Sequence, residues 1–87
     1  MTVQATIRVR YFASLREALG AGETLQIAAG ATVGEARDAL IARSPRHAEV
    51  LARGRAVRTA LDQTLCDESA QVADGAELAF FPPVTGG

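Results

Sequence analysis

Apolar and polar residues alternate along the first eleven positions of the chain. The apolar members of this alternation are Val3, Ala5, Ile7, Val9 and Tyr11. The residues between them are Thr, Gln or Arg. A period of two is typical of a β-strand that buries one face and exposes the other, so the chain is predicted to open with a half-buried strand.

A second strand is predicted shortly afterwards. The segment FASLREALG, residues 12–20, predicts a helical turn closed by Gly20. The polar turn GAGE at 20–23 then leads to TLQI. In this short run Leu25 and Ile27 repeat the period of two, which predicts a second, shorter strand.

The clearest helix is predicted after residue 32. Thr32 and Glu35 have the spacing of a capping box, in which each side chain accepts a hydrogen bond from a free backbone N–H. Pro45 ends the helix because proline disfavours helical geometry at the residue before it. The apolar stripe comprises Val33, Ala36, Leu40 and Ile41, and the positions expected to face solvent are Glu35, Arg37, Asp38 and Arg43. The segment 46–54, RHAEVLARG, suggests another turn or two, with His47 as a solvated surface residue.

The period of two returns near residue 56 and predicts a third strand. Its inward positions are Val57, Thr59 and Leu61. Asp62 and Gln63 are then expected to turn the chain into a short fourth strand around Leu65.

The last predicted strand follows a DG turn at 74–75. Leu78 and Phe80 share one parity, whereas Phe81 has the other. Because successive side chains of a strand point to opposite faces, Phe80 is expected in the core and Phe81 on the outer face. Pro82 ends the strand.

This order of elements predicts an α+β fold. Two opening strands, one main helix and two or three closing strands can share one core if a mixed sheet packs its apolar face on the helix. The order is that of the ubiquitin-like β-grasp, with a mixed sheet of four to five strands packed on one main helix. The pattern of apolar and polar residues alone also allows a ferredoxin-like split fold. That fold needs a second full helix in 46–54. The expected organisation is one domain over 1–81 and an extended tail over 82–87.

Length and charge narrow the function classes. A chain of 87 residues supports one modest core but not a deep catalytic cleft beside it, so we expect a carrier or binding module rather than a self-sufficient enzyme. The nine Arg nearly balance the ten Asp plus Glu in charge, and the sequence has no run of like charges that could follow a phosphate backbone. A nucleic-acid partner is therefore not expected.

The first residues and the cysteine content bear on the compartment. The segment MTVQATIRVRYF lacks the basic start and continuous apolar stretch of a signal peptide, and no stretch of the sequence is apolar enough to span a bilayer. The expected location is the cytoplasm, without a membrane partner. The single cysteine, Cys66, fits a reducing compartment and is expected to be a small apolar filler.

The last six residues carry the candidate chemistry. Pro82 and Pro83 fix two φ angles and remove two backbone donors, so the tail is expected to leave the sheet as a stiff extended arm. Gly86 and Gly87 have no side chains, so a narrow channel in a partner can close around them. The Gly87 carboxylate becomes reactive once a partner enzyme converts it into an acyl-adenylate.

Three segments resemble a known family. The runs ALDQTL at 60–65 and VADGAELAFFPPVTGG at 72–87 resemble the C-terminal half of the molybdopterin synthase small subunits, the ubiquitin-like sulfur carriers of molybdenum-cofactor biosynthesis. FASLREALG is similar to the loop after the first strand of the same family. The most specific part is FFPPVTGG, since Gly-Gly alone is a weak signal.

The resemblance implies a sulfur-transfer cycle whose catalytic groups belong to partners. An adenylating enzyme related to the ubiquitin-activating enzymes uses ATP and Mg²⁺ to activate Gly87, and a sulfur donor protein converts the adenylate into a thiocarboxylate. The tail then enters the large synthase subunit, where the sulfur helps to build the molybdopterin dithiolene. This chain itself is expected to bind no cofactor. The delivering arm comprises Pro82, Pro83, Val84, Thr85 and Gly86.

Two apolar side chains are candidates for docking to these partners. Phe81, beside the tail, is interpreted either as a docking anchor or as a residue covered by the chain's own loops. Leu65 is a weaker candidate for the same apolar patch.

The residues are also compatible with other functions. A carrier of the same design could serve the thiazole of thiamine or the thiolation of tRNA. A protein modifier could form isopeptide bonds through Gly87, and a ubiquitin-like module could simply bind. The run FFPPV favours the carrier for molybdopterin synthesis.

Overall fold

Residues 3–83, which the computed structural model describes, form a five-stranded sheet and three helices. In chain order the elements are β1 (Gln4–Tyr11), α1 (Ser14–Leu19), β2 (Gly22–Ala28), α2 (Val33–Ile41), α3 (Pro45–Leu51), β3 (Arg58–Leu61), β4 (Thr64–Cys66) and β5 (Glu77–Phe81). The predicted α+β class and the mixed sheet are confirmed.

The first and last of these strands lie side by side in the centre of the sheet. The strand order is β2-β1-β5-β3-β4. β1 is parallel to β5, and every other neighbouring pair is antiparallel. β5 therefore joins two hairpins, β1–β2 and β3–β4, into one sheet.

The core lies between the sheet and the helices. Exposed and buried residues alternate without a break along β1, as the period of two predicts. The largest fully buried side chains are Tyr11, Phe80, Ile7, Leu40, Leu51, Leu78, Val9 and Val33. Val3 was expected on the buried face, but 72% of its surface is exposed because it precedes β1, beyond the part of the strand that the core covers.

The capping signals at the two longer helices act as predicted. The backbone N–H of Glu35 donates to Thr32 Oγ1 at 3.1 Å, and the backbone N–H of Thr32 donates to Glu35 Oε1 at 3.0 Å, which completes the capping box of α2. Pro45 follows the end of α2 and occupies the first turn of α3, where its missing N–H costs no hydrogen bond. The weak helical signal in 46–54 thus belongs to a short separate helix.

The expectation that Arg37 faces solvent is wrong. Only 3% of its surface is exposed, because α3 packs beside α2 and ends over it. Its guanidinium donates to the carbonyl oxygens of Leu51 (2.8 Å), Ala52 (2.7 Å) and Arg55 (3.1 Å). It also donates to Glu68 Oε2 at 2.7 Å. A buried guanidinium thus donates to carbonyls at the end of α3 and in the loop that follows it.

The expectation that His47 is a solvated surface residue is also wrong. Its side chain is mostly buried, because α3 brings it against the edge of β2. The ring nitrogen Nδ1 lies 2.7 Å from Ser44 Oγ, and Nε2 lies 2.8 Å from Glu23 Oε2. The imidazole therefore links the start of α3 to the second strand.

Cys66 is partly buried and packs against the core, as expected of a small apolar filler. Its Sγ lies 3.6 Å from the Thr59 hydroxyl. Of the helices in residues 3–83, none is long and apolar enough to cross a membrane.

Candidate docking face at the base of the tail

The end of β5, from which the tail departs, is held firmly by β1. Phe80 is fully buried, and its ring stacks on that of Tyr11 with centroids 6.2 Å apart and planes inclined by 26°. The backbone N–H of Phe12 donates to the Phe80 carbonyl oxygen at 3.1 Å. The inward position predicted for Phe80 is confirmed, so the last strand keeps its register up to the base of the tail.

Phe81 lies on the opposite face of the sheet from Phe80. It is half-buried and stands beside Arg58 of β3 in the strand register. The outward position predicted for Phe81 follows from this register, while its role as a docking anchor stays a prediction.

A row of apolar residues crosses the same outer face next to Phe81. In register, Leu65 pairs with Ala60, and Ala60 pairs with Ala79. Leu65 is 62% exposed. We call Ala60, Leu65, Ala79 and Phe81 the outer patch. The sequence pattern indicated its two large members but not its two alanines, each of which is only 8% exposed.

Charged residues lie next to the outer patch on both strands that neighbour β5. On β1, Arg10 pairs with Ala79 in the register and so continues the row that Leu65, Ala60 and Ala79 form. Its Nη1 lies 3.7 Å from Glu77 Oε1, and its Cζ lies 5.3 Å from the centroid of the Phe12 ring. Arg58 borders the patch on β3. The outer face therefore combines an apolar patch with a guanidinium on each of the two strands that neighbour β5.

A hydrogen-bonded cluster on the other side of β1 supports the Tyr11–Phe80 stack. The Tyr11 hydroxyl donates to Glu23 Oε2 at 2.6 Å, and Arg43 forms an ion pair with Glu23 Oε1. Burial of the Glu23 carboxyl raises its pKa. The hydrogen bonds from Tyr11, His47 and Arg43 together outweigh burial and hold the pKa of this carboxyl below its ordinary value. Burial, followed by the bond to Glu23, raises the pKa of Tyr11.

The outer face also carries a shallow, open depression of about 450 Å³ across β2, β1 and β5. Gly22 in its wall is required, because a Cβ there would lie 2.4 Å from the Val9 carbonyl oxygen. The lining residues include Arg8, Arg10 and Glu77, but they do not bring a nucleophile next to a base. Among residues 3–83 there is also no group of His, Cys, Asp and Glu that could hold a metal ion.

The described residues include the first two of the tail, Pro82 and Pro83, and both are half-buried. The other tail residues named by the sequence, Val84, Thr85, Gly86 and Gly87, lie outside the described residues. The chemistry assigned to them stays a prediction.

Comparisons with known proteins agree with the family that the tail and the first helical turn resemble. A relative from Escherichia coli strain K12, "Molybdopterin synthase sulfur carrier subunit", is 42% identical over 81 residues, which cover 93% of this chain and 99% of that protein.

Solved structures share the fold. A crystal structure of small archaeal modifier protein 1 from Haloferax volcanii has a TM-score of 0.77 at 29% identity and covers 92% of this chain and 99% of its own. A protein–protein complex of subunits 1 and 2 of molybdopterin-converting factor from Helicobacter pylori contains a chain with a TM-score of 0.61 at 28% identity, covering 94% of this chain and 99% of its own. The ubiquitin-like β-grasp predicted from the order of elements is confirmed.

The ThiS family profile matches residues 9–87, which include the end of β1, all of β5, the outer patch and the whole tail. With this match and with a relative covered almost from end to end, the chain belongs to the ThiS family.

Proposed function

We propose that the protein is the sulfur carrier of a molybdopterin synthase and that Gly87 carries the sulfur. The observation that carries the proposal is the match to the Escherichia coli sulfur carrier subunit, which extends over 99% of that relative. The fold supports it, because β5 is locked in the sheet up to Phe81 and delivers the tail beside an apolar patch.

The chemistry of the proposed cycle takes place at the terminal carboxylate. A carboxylate oxygen of Gly87 attacks the α-phosphorus of ATP, bound with Mg²⁺ on an adenylating partner, and pyrophosphate leaves. A hydrosulfide ion released by a donor protein then attacks the acyl carbon and displaces AMP, which leaves a thiocarboxylate. The catalytic groups belong to the partners, and this chain contributes the acyl group and its delivery.

The outer patch gives the carrier a surface for docking. Phe81 is half-buried and Leu65 is largely exposed. Both lie on a face that the chain's own helices do not cover. Exposed apolar side chains in a shared patch commonly mark interfaces. We assign this patch to contact with the large synthase subunit and with the adenylating enzyme.

The arm beyond the patch reaches into the partner. Six residues from Pro82 to Gly87 extend over roughly 20 Å at most. Two consecutive prolines restrict the arm before it binds, which lowers the conformational entropy lost on entering a channel. Pro82, Pro83, Val84, Thr85 and Gly86 form this arm.

The partner proposal also has support from a solved relative. The similar Helicobacter pylori chain belongs to a complex of subunits 1 and 2 of molybdopterin-converting factor. We propose a corresponding large subunit as the partner of this chain. We place the cycle in the cytoplasm, where ATP is available and the thiol of Cys66 stays reduced.

Intact mass spectrometry of the protein isolated from its own cells tests this function. A carrier is expected in two forms that differ by one exchange of oxygen for sulfur, with the exchange mapped to Gly87. A variant without Gly87 serves as the control and is expected to show one form only. A single unmodified form in cells that are making molybdopterin would contradict the proposal.

A protein modifier is the second candidate, favoured by the likeness to small archaeal modifier protein 1. In that case the activated Gly87 forms an isopeptide bond with a lysine of another protein. Denaturing gels followed by mass spectrometry distinguish the two functions. Abundant thiol-resistant conjugates that map to Gly87 would favour the modifier.

A further inference from the structure

The two guanidinium groups beside the outer patch differ from three arginines on the helical side of the molecule. There, Arg37, Arg43 and Arg53 each form a close ion pair with a carboxylate. On the outer face, Arg58 has no carboxylate of residues 3–83 within ion-pair distance, and Arg10 has only a long contact of 3.7 Å with Glu77. Positive charge is therefore left exposed on both sides of Phe81.

The register fixes where these charges lie. Arg58 of β3 is the direct neighbour of Phe81, and Arg10 of β1 is the direct neighbour of Ala79. Both side chains thus project from the outer face, on opposite sides of β5. Arg10 is also oriented by the ring of Phe12, since its guanidinium carbon lies 5.3 Å from the ring centroid. A partner that covers Phe81 must approach both guanidinium groups.

A partner that covers these arginines without offering opposite charges to their guanidinium groups would bind poorly. Removing a charge from water is costly unless an opposite charge and hydrogen bonds replace the solvent. Complementary charges around an interface also increase the rate of association and reject partners of the wrong sign. The partner surface should therefore carry carboxylates opposite Arg10 and Arg58.

We propose that Arg10 and Arg58 select a partner whose docking surface is an apolar pocket flanked by carboxylates. The occupant to which we assign this chemistry is the large synthase subunit, so the inference rests on the proposed function. Phe81 fills the pocket, and each arginine pairs with a carboxylate at its rim. The two arginines thereby orient the base of the tail before the tail enters the partner.

Stopped-flow association of this chain with the large subunit tests the proposal. Arg58→Glu is expected to lower the association rate constant by about tenfold at low ionic strength. The difference from the unmodified chain should shrink as salt is added, because exposed charges are screened. Arg58→Gln should have a smaller effect, and Arg10→Glu should act in the same direction as Arg58→Glu.

Arg16→Glu is the matched control. Arg16 is exposed on α1, outside the sheet, and has no ion pair among the described residues. This variant changes the net charge by the same amount and should associate at nearly the unmodified rate. Equal melting temperatures for all variants exclude an effect through unfolding.

The outcomes separate this proposal from the proposed function. If the unmodified chain binds but Arg58→Glu and Arg16→Glu associate at the same rate, the selection by charge is wrong while the carrier function stands. Faster association of Arg58→Glu would mean a basic partner surface and would also overturn the proposal. If the unmodified chain does not bind the large subunit, both are wrong.

Discussion

Tyr11 and Phe80 stack in the core at the last register pair of the parallel strands β1 and β5. Phe80 is one residue before the outward-facing Phe81, and the Tyr11 hydroxyl is bound by Glu23 on β2. The position of the docking face is thus tied to a cluster on the other side of the sheet.

Tyr11→Phe is expected to reduce stability without disturbing the fold. The ring still stacks on Phe80, but the Glu23 carboxylate loses one of its donors. Loss of a hydrogen bond to a charged group costs about 1.5–3 kcal/mol. Urea unfolding of both proteins measures the difference. An unchanged free energy of unfolding would show that water replaces the lost hydroxyl.

Glu23 is expected to make stability depend on pH. Its pKa in the folded protein is below the ordinary value of 4.5, so the unfolded chain binds a proton first as pH falls. The contribution is therefore fully present above about pH 5.5 and is lost as pH falls through 4.5 towards the folded pKa. The stability difference between the unmodified protein and Glu23→Gln should shrink over this range. A difference that stays constant on acidification would contradict the lowered pKa.

Arg37→Ala is expected to be strongly destabilising. The change removes the buried donor of three backbone carbonyls, and a buried acceptor left unsatisfied costs about 1–3 kcal/mol. Arg37→Lys should recover little, because an ammonium cannot reach several acceptors in the same plane. Thermal and urea unfolding measure the losses. Arg16→Ala, at an exposed site, serves as the control and should remain close to the unmodified protein.

Phe81→Ala is expected to weaken docking rather than folding. If Phe81 fills a pocket of the large subunit, its loss should cost about 2 kcal/mol or more of binding free energy. Titration calorimetry measures the affinity, and Val3→Ala, at an exposed apolar residue before β1, is the control. A drop in melting stability with unchanged affinity would assign Phe81 to the core instead.

The length of the tail is expected to be critical. Deleting Gly87, or adding one residue after it, should abolish sulfur transfer and leave the melting temperature unchanged. One residue shifts the chain end by about 3.5 Å, and even a displacement of ~1 Å can cost about a hundredfold in rate. A reconstituted synthase assay with each variant measures the transfer. Normal production of molybdopterin by either variant would rule out chemistry at Gly87.

The elements that the sequence predicted correctly depend on local signals. The alternation along β1 and the capping box at Thr32 and Glu35 require only neighbouring residues, and the structure confirms both. The opposite orientations of Phe80 and Phe81 also follow from parity along one strand. These signals were sufficient for the order of elements and for the large members of the outer patch.

The misplaced residues depend on distant partners. Arg37 binds Glu68, 31 positions away, and His47 binds Glu23, 24 positions away. A polar residue on a helix has no local signal that separates solvent from such a partner. The flanking positions of Arg10 and Arg58 likewise require the strand order, because β1 and β3 become neighbours of β5 only in the folded sheet.

The central position of β5 has a consequence for the synthesis of the protein. The hairpins β1–β2 and β3–β4 share no strand contact until β5 enters between them. While β5 is still inside the ribosomal tunnel, the sheet of the nascent chain can consist of at most two separate hairpins, and an isolated hairpin is only marginally stable in water. Folding is therefore expected to be completed after β5 leaves the ribosome, so that a prematurely terminated chain lacking this strand stays open to proteolysis.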